Sequence, residues 1–569
     1  MPDRPAARHG SDLVVDLLME AGIDHVAFNP GASFRGIHDS LVHTSEAPEI
    51  TLCLHEMIAV SMAQGYAKAA GRPMAVLLHN VVGLQNASMA IYNAWCDRVP
   101  MLLIGGTGPK STPHRRPWID WIHTASVQAN LVRDFVKWDD EPHDIHSVEE
   151  SFARAIAATR SAPTGPVYLC YDVDLQEDPL PEDLSVGGIG RYPIPSSPAP
   201  SPEDLRWVAE QLRAARRPVI LAGYAGESPE AFADLVALAE TLGAPVVDTG
   251  VRHAFPTTHP LAGTHVDDVL VEADVVLALD VEDIDSQLRS RYGDAGLSVV
   301  NVSLANLKLR AWAHDYQAMV PADRQITASA EHVVSGLLRT FEDEPLAAAA
   351  VDERIARTTA LTTRTRQEAE RAARSATAEG CVPLERLLIE LADALDGTDF
   401  VLGGGTNGRL EHRYLPLDRP RQYAGWGAGG GLGYGVGGAL GVALAQPEGT
   451  ITVDVQADGD LLFLPQALWT AANKSLPVLI VVNNNRQYGN TVEHAMKIGE
   501  ARGHKEDRRY AGAGLADPAV DLAAMARSFG VWGVGPITDP ESLAEQLAAA
   551  VEVVRSGKPA LIDVVTPGF

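Results

Sequence analysis

The stretch VQADGDLLF, residues 455–463, decides the fold. An apolar run, Ile451 to Val455, stops at Ala-Asp-Gly-Asp, and a second run, LPVLIVVNNN (476–485), stops at three asparagines. The segment between them, LPQALWTAANKS (464–475), has the pattern of a helix. Short apolar strands joined by a helix read as neighbours in a parallel sheet that is buried on both faces. Ligands of such sheets bind beyond the carboxyl ends of the strands, which is where Asp458 and Asn485 stand. A carboxylate, an amide oxygen and a backbone carbonyl leave octahedral positions open for phosphate oxygens and water, the usual way Mg2+ is held. An aspartate at a strand end also serves as a helix cap, and the pair alone does not decide between these roles.

Glycine supplies context. GWGAGGGLGYGVGGALG (425–441) has too many glycines for a stable helix unless its backbone approaches something closely. GGGTNG (403–408) follows the strand DFVL and places backbone N–H groups and the Thr406 hydroxyl where a phosphate could sit. Two such segments beside Asp458 and Asn485 favour a magnesium–diphosphate site. A dinucleotide site of the G-x-G-x-x-G type competes, but no acidic residue ending a following strand at about 20 residues fits it as well as Asp458 and Asn485 fit a metal pair.

The whole chain has 569 residues, too many for one core, and a prior of roughly 100–200 residues per domain predicts three or four units. With 46% hydrophobic and 21% charged residues it falls outside the disordered and fibrous classes. A net charge of -28 argues against a nucleic-acid surface, which needs clustered Lys and Arg, and otherwise reads as a solubilising surface. Cys53, Cys96, Cys170 and Cys381 lack the paired spacing of a zinc or redox motif and read as buried, reduced thiols. The N-terminal MPDRPAARHGSDLVVDLL has no apolar signal core, and no run of about 18 apolar residues follows, so neither export nor a membrane span is expected. The expected location is cytoplasmic.

Helices and strands alternate in three stretches, predicting an α/β chain of three doubly wound parallel-sheet domains. The first, 1–185, has strands at HVAFNPG, ITLCLHE, PMAVLLHN, VPMLLIGG and PVYLCYDVD. After the linker YPIPSSPAPSPEDL a second, 200–340, repeats the architecture at PVILAGYAG, APVVDTG, ADVVLALD and LSVVNVSL. Residues 341–380 read as a helical or flexible connection, and 381–569 form the third domain, with strands at DFVL, ITVDVQ, LPVLIVV and PALIDVV.

These residues resemble the thiamine-diphosphate-dependent enzymes, the group of acetolactate synthase, benzoylformate decarboxylase and 2-hydroxyacyl-CoA lyase. ADGDLLFLPQALWTAANKSLPVLIVVNNN resembles the cofactor motif that opens on Gly-Asp-Gly and closes on Asn-Asn. GGGLGYGVGGALG resembles the glycine-rich segment before it, and LCLHEMIAVSMAQGYAKAAGRP the segment that carries the activating glutamate. The resemblance implies a pyrimidine-binding, a middle and a diphosphate-binding domain in that order. It implies Asp458, Asn485 and the Gln487 carbonyl as Mg2+ ligands, and Gly405 and Thr406 at the diphosphate. The Gly430 carbonyl would accept from the cofactor's amino group, Leu432 would prop the cofactor into its bent shape, and Glu56 would bond its pyrimidine so that a C2 carbanion can form. Gly459 would let backbone reach the diphosphate. Two departures stand out: Ala457 replaces the first glycine of the motif, and Asp460 replaces a small hydroxyl residue. Asp460 is expected to contribute its N–H and turn its carboxylate away from the phosphates. The resemblance also implies that the cofactor spans two subunits, with a homodimer as the smallest active unit and a homotetramer as the expected assembly.

For the substrate, LLHNVVGLQNA (77–87) resembles benzoylformate decarboxylase, with His79 at a strand end as a proton carrier. A histidine bonded only to backbone is the structural alternative. Ala32, in NPGASF, stands where benzoylformate decarboxylase has a serine. QYGNTVEHAM (487–496) should start a short helix over the cofactor, offering Thr491, Glu493 and His494 to the substrate. A carboxylate at Glu493 could shuttle the hydroxyl proton in cleavage of a 2-hydroxyacyl-CoA to formyl-CoA and a carbonyl compound; equally it fits a solvated helix face. HRRPWIDWIHT (114–124) fits an anion or CoA patch, or packing of Trp118, Trp121 and Ile122 under the pocket. The sequence ends at VVTPGF with little beyond the last strand, which speaks against the longer lid of CoA-dependent relatives. The expected substrate is a small-molecule 2-keto acid, decarboxylated or ligated, or an acyl-CoA; a non-catalytic paralogue would need Glu56, Asp458 or Asn485 broken, and all are present.

Overall fold

The computed structural model describes residues 8–291, 296–306, 321–406, 409–425, 427–504 and 511–568. Three parallel sheets carry the fold, as the alternating pattern predicts. The first holds β1 (His25–Phe28), β2 (Glu49–Leu52), β3 (Ala75–Leu78), β4 (Met101–Thr107), β5 (Trp138–Asp140) and β6 (Pro166–Asp172), in the order β2-β1-β3-β4-β6-β5. The second holds β7 (Pro218–Ala222), β8 (Val246–Asp248), β9 (Val275–Leu279), β10 (Ser298–Val302) and β11 (Arg324–Ile326), in the order β11-β10-β9-β7-β8. The third holds β12 (Phe400–Gly404), β13 (Ile451–Ala457), β14 (Val478–Asn484), β15 (Trp532–Ile537) and β16 (Ala560–Val565), in the order β12-β13-β14-β16-β15. β13 and β14 pair in parallel with Gln456 opposite Val482, so Asp458 and Asn485 leave neighbouring strand ends.

The second sheet shows why the strands read as unbroken apolar runs. Ile220, Leu277 and Val300 enter one core, whereas Val219, Leu221 and Val276 enter another, so alternate residues of each strand are buried on opposite faces. The segment expected to be helical or flexible contains one helix, Ala348–Ser375, of 28 residues. It lies against its neighbours through Arg354, which donates to the Leu242 carbonyl at 2.8 Å, and Thr362, which donates to the Pro260 carbonyl at 2.8 Å. Of the four cysteines only Cys53 and Cys170 are buried; Cys96 and Cys381 are half-buried, and all are free. Burial pushes the Cys53 thiol up to about 12, so it is inert as a nucleophile at neutral pH.

The chain condenses into two compact units. One comprises residues 1–196 together with 427–446 and 463–476; the other comprises 197–426, 447–462 and 477–569. The glycine-rich run therefore belongs with the N-terminal sheet, and its helix, Gly435–Ala445, crosses the helix Glu56–Ala70. The close approach that the glycines demand is in this half of the run an approach to protein backbone. A Cβ on Gly65 would lie 1.9 Å from the Gly438 carbonyl oxygen, and one on Gly441 would lie 1.8 Å from that of Met62. Below this crossing Lys68 and Asp97 form a buried ion pair, and Gln64 Nε2 donates to the same carboxylate at 2.8 Å. Among the described residues no helix is long and apolar enough to cross a membrane.

Gly441→Ala should lower the apparent melting temperature sharply, by the equivalent of more than about 3 kcal/mol, since backbone cannot yield to a new methyl group. Gly499→Ala, in the helix Gly489–Ala501 with nothing nearer than 4.0 Å, should leave it unchanged or raise it. Thermal unfolding followed by circular dichroism checks both.

Candidate active site

In the N-terminal unit Glu56 is the first residue of the helix Glu56–Ala70, where the positive end of the helix dipole favours a carboxylate. His55 caps that helix through its side chain, which accepts from the Met57 N–H at 3.1 Å. Glu56 is 6% exposed, and Asn86 Nδ2 donates to its Oε2 at 3.2 Å. His79 follows β3 and is held by Ser33, whose hydroxyl lies 2.9 Å from Nδ1. The same hydroxyl oxygen accepts from the Asn80 N–H at 2.9 Å, so Ser33, one residue after Ala32, bridges His79 and the residue after it. Gly83 explains the spacing in LLHNVVGLQNA: its Cβ would stand 2.9 Å from that of His79 and 3.1 Å from Glu56 Oε1. Only glycine fits between the Glu56 carboxylate and the His79 side chain here, while the imidazole ring itself lies against Gly31. Asn86 and Ser33 were not singled out from sequence; the Asn-Ala that closes the motif was the available signal for the first.

The His79 ring lies edge-on to His123, with centroids 5.3 Å apart. Burial, then the charges of His123 and Arg116, hold the His79 imidazole below its ordinary value. The loop that supplies these neighbours is otherwise committed to itself. Arg116 pairs with buried Asp120 at 2.7 Å, Arg115 donates to the Pro109 and Lys110 carbonyls, and His114 lies 3.0 Å from Asp174. Trp118, Trp121 and Ile122 are exposed in the chain, at 64%, 67% and 48%, rather than packed beneath a pocket.

The glycine-rich loop of this unit is pinned by Asn93. Its amide donates to the Gly431 carbonyl at 3.1 Å and accepts from the Gly431 N–H at 3.0 Å. Gly430 and Gly433 take φ of +69° and +88°, the left-handed region that glycine tolerates, and Leu432 between them is 39% exposed. Pinned on both sides, the loop holds Leu432 outward.

In the other unit Asp458 is 2% exposed, and its Oδ1 has no partner. Burial pushes its carboxyl up to about 6, partly offset by N–H groups of Gly459, Asp458 itself and Arg486. The three asparagines divide their work. Asn483 Oδ1 accepts from the Thr566 hydroxyl at 2.5 Å and Asn484 donates to Asp563 at 2.8 Å, both within the sheet. Asn485 Oδ1 accepts from the Gln487 N–H at 3.1 Å, a turn that carries the chain off the strand, with Arg486 at φ +57°. A small cleft lined by Asp458, Asn484, Arg486 and Leu515 opens here. Gly459 could bear no side chain, since a Cβ would meet the Tyr488 ring at 2.8 Å.

The turn after β12 differs from expectation in one respect. The Thr406 N–H is already taken by Glu411 Oε1 at 2.7 Å, and the Thr406 hydroxyl acts on the same carboxyl group. Gly405 lies against the same carboxyl group, and burial pushes the Glu411 carboxyl above its ordinary range. Asn407 and Gly408 lie outside the described residues. Asp460 is half-buried, and its charge acts on Asp454, a wholly buried β13 carboxyl that burial first and then Asp460 raise well above the usual range. Glu493 and His494 sit in the helix Gly489–Ala501, where Glu493 is salt-bridged to Lys497 at 2.5 Å and its carboxyl is held below its ordinary value by that bond. His494 and Thr491 are exposed. The solvated helix face, not a sequestered proton shuttle, is the environment the structure gives Glu493.

Because the His79 imidazole is depressed in the folded chain, the unfolded state binds its proton more readily. Stability from this group is complete above the unfolded value near 6.5 and is lost as pH falls through it. A proton NMR titration of the His79 ring, assigned with His79→Gln, should give a midpoint below 6.5; a midpoint at or above 6.5 contradicts the burial assigned to it.

Comparison with known proteins agrees with this geometry. Residues 8–129, 205–307 and 403–564 match the N-terminal TPP binding, central and C-terminal TPP binding domains of thiamine pyrophosphate enzymes. The chain is 27% identical to benzoylformate decarboxylase of Pseudomonas aeruginosa over 572 residues, covering 97% of each. It is 26% identical to the acetolactate synthase isozyme 3 large subunit of Escherichia coli over 584 residues, covering 98% of this chain and 95% of that one. Its fold resembles that of the thiamine diphosphate-dependent 4-hydroxybenzoylformate decarboxylase of Rhodococcus jostii, with a TM-score of 0.78 at 22% identity, covering 99% and 100% of the two chains. With three parallel-sheet domains, each matching its counterpart in order, the chain belongs to the thiamine-diphosphate-dependent enzymes.

Proposed function

We propose that this enzyme uses thiamine diphosphate and Mg2+ to cleave or form the carbon–carbon bond beside the carbonyl of a 2-keto acid, with decarboxylation as its primary reaction. The observation that carries this reading is the close packing at Gly83, which brings the buried Glu56 carboxylate and the backbone end of the serine-held His79 side chain against one residue without a side chain. The cofactor fits the residues present. Asp458 Oδ1 is a buried polar atom without a partner, at a strand end where a cation would satisfy it. Asp458, the Asn485 amide oxygen and the Gln487 carbonyl would hold Mg2+; Gly405, Thr406 and the Gly459 and Asp460 N–H groups would hold the diphosphate. The Gly430 carbonyl and Leu432 would receive the pyrimidine side.

The chemistry supplied by bound thiamine diphosphate is a nucleophilic ring carbon and an electron sink. The chain's own residues place and protonate. Glu56, oriented by Asn86, holds a hydrogen bond in apolar surroundings, where it is stronger than in water. His79, neutral at pH 7, is fixed through Nδ1 by Ser33, which leaves Nε2 to give or take the proton at the substrate's oxygen. Two observations favour a keto acid over an acyl-CoA: Glu493 is tied to Lys497, and the cations of loop 114–124 are spent on Asp120, Asp174 and backbone carbonyls. Relatives named for benzoylformate and 4-hydroxybenzoylformate make aryl 2-keto acids the first to try. We further propose that the active form is a homodimer or a dimer of dimers, located in the cytoplasm; an active monomer in sedimentation velocity contradicts the assembly.

Purified protein supplied with thiamine diphosphate and Mg2+ should release carbon dioxide from benzoylformate or pyruvate, and His79→Ala should lower kcat by about 100-fold or more. Formyl-CoA from a 2-hydroxyacyl-CoA, with no carbon dioxide from either keto acid, would overturn the substrate class while leaving the cofactor assignment standing.

A further inference from the structure

Away from the residues assigned to the reaction, three buried side chains converge at the end of β8. Asp248 is 3% exposed, His253 2% and His412 6%, and one potential ligand atom from each lies within 4.8 Å of the others. No ring nitrogen of the two histidines makes a hydrogen bond of normal geometry, although the Leu417 backbone lies near enough to His253 to act on it. Buried imidazoles ordinarily bond a carbonyl or a carboxylate, so two adjacent ones without such a bond require an explanation. Packing does not supply one. His253 meets the Phe232 ring at 5.4 Å and His412 the Tyr423 ring at 4.5 Å, contacts that use ring faces and edges but not the nitrogen lone pairs.

The carboxylate is held in a fixed orientation. Asp248 Oδ1 accepts the Gly250 N–H at 2.6 Å and Oδ2 accepts the Ala254 N–H at 2.8 Å, and the Phe255 N–H also acts on the carboxylate, so of its four lone pairs one is left for a ligand. Arg409 does not neutralise it by direct bonding, since its guanidinium donates to the Asp248 backbone carbonyl at 3.2 Å. Beside the cluster a cleft lined by Asp248, Thr264, His265, Thr362, His412 and Arg413 gives a route of entry and a place for a fourth ligand such as water.

We propose that Asp248, His253 and His412 are a second metal site, taking one divalent transition-metal ion of the imidazole-preferring class, with Zn2+ as its type. Two neutral imidazoles and one carboxylate are the donor set that such ions select over Mg2+, which prefers oxygen. Ligand atoms around tetrahedral Zn2+ sit about 3.4 Å apart, so a modest rotation of the imidazoles closes the site. Its position gives it a structural use. His253 lies just past β8, and His412 lies in the helix Glu411–Tyr414 beside Glu411, which takes the Thr406 N–H. An ion here ties the second sheet to the turn assigned to the diphosphate.

The test uses the full chain, saturated with thiamine diphosphate and Mg2+, cleared of transition metals by a chelator and titrated with Co2+ as a coloured stand-in for Zn2+. The wild type should bind about one equivalent, with the intense visible absorption of low-coordinate Co2+, displaced by Zn2+. His253→Gln and His412→Gln should each weaken this binding by about tenfold or more while retaining thiamine diphosphate. X-ray absorption of the Zn2+-loaded wild type decides the matter without any variant, and should show two imidazole nitrogens at about 2.0–2.1 Å. Absence of imidazole scattering, Co2+ uptake equal in wild type and variants, or no uptake would each overturn the site.

Discussion

One backbone contact governs the surroundings of Glu56 in the N-terminal unit. The helices Glu56–Ala70 and Gly435–Ala445 cross so closely that Gly65 faces the Gly438 carbonyl and Gly441 faces that of Met62, with no room for a methyl group between them. Both helices begin at or beside residues proposed to meet the cofactor. Glu56 opens the first, and the loop of Gly430 and Leu432, clamped by Asn93, leads into the second. Since Gly437 rests on Ser61, little more than one turn into the first helix, the crossing sets the start of each helix relative to the other. The placement of Glu56 thus depends on glycines whose role is packing.

The surroundings of Asp458 follow from strand pairing. With β13 and β14 in register, Asp458 and Asn485 emerge side by side, and the remaining asparagines are absorbed by Thr566 and Asp563. The cost of the arrangement is electrostatic. Asp454, Asp458 and Glu411 are all buried carboxyls raised by burial, a concentration of acid groups that a bound cation would relieve.

Much of this was legible in the sequence, and the exceptions share physical reasons. Every strand with a long apolar run was found. Those missed, β5, β11 and β15, lie at sheet edges, where burial on both faces is not required; β5 reads Trp-Asp-Asp and β11 Arg-Gln-Ile. The glycine run was read as a close approach, correctly, but the partner of its helical half is another helix, which spacing cannot reveal. Ser33 carries no signal in the sequence, since 46 residues separate it from His79 and only the fold turns its hydroxyl to the ring. Asp248, His253 and His412 are far apart in sequence and carry no motif; only the fold brings them together. Glu493 carried a plausible spacing, but Lys497 one turn on takes its charge.

The claim on which the rest turns is that buried Glu56 activates the cofactor. The most direct measurement is the rate at which the C2 proton of bound thiamine diphosphate exchanges with deuterium, followed by NMR in wild type and in Glu56→Gln. With cofactor affinity changed by no more than a few-fold, exchange should slow by at least about 100-fold in the variant. An unchanged exchange rate with the cofactor bound would contradict the account.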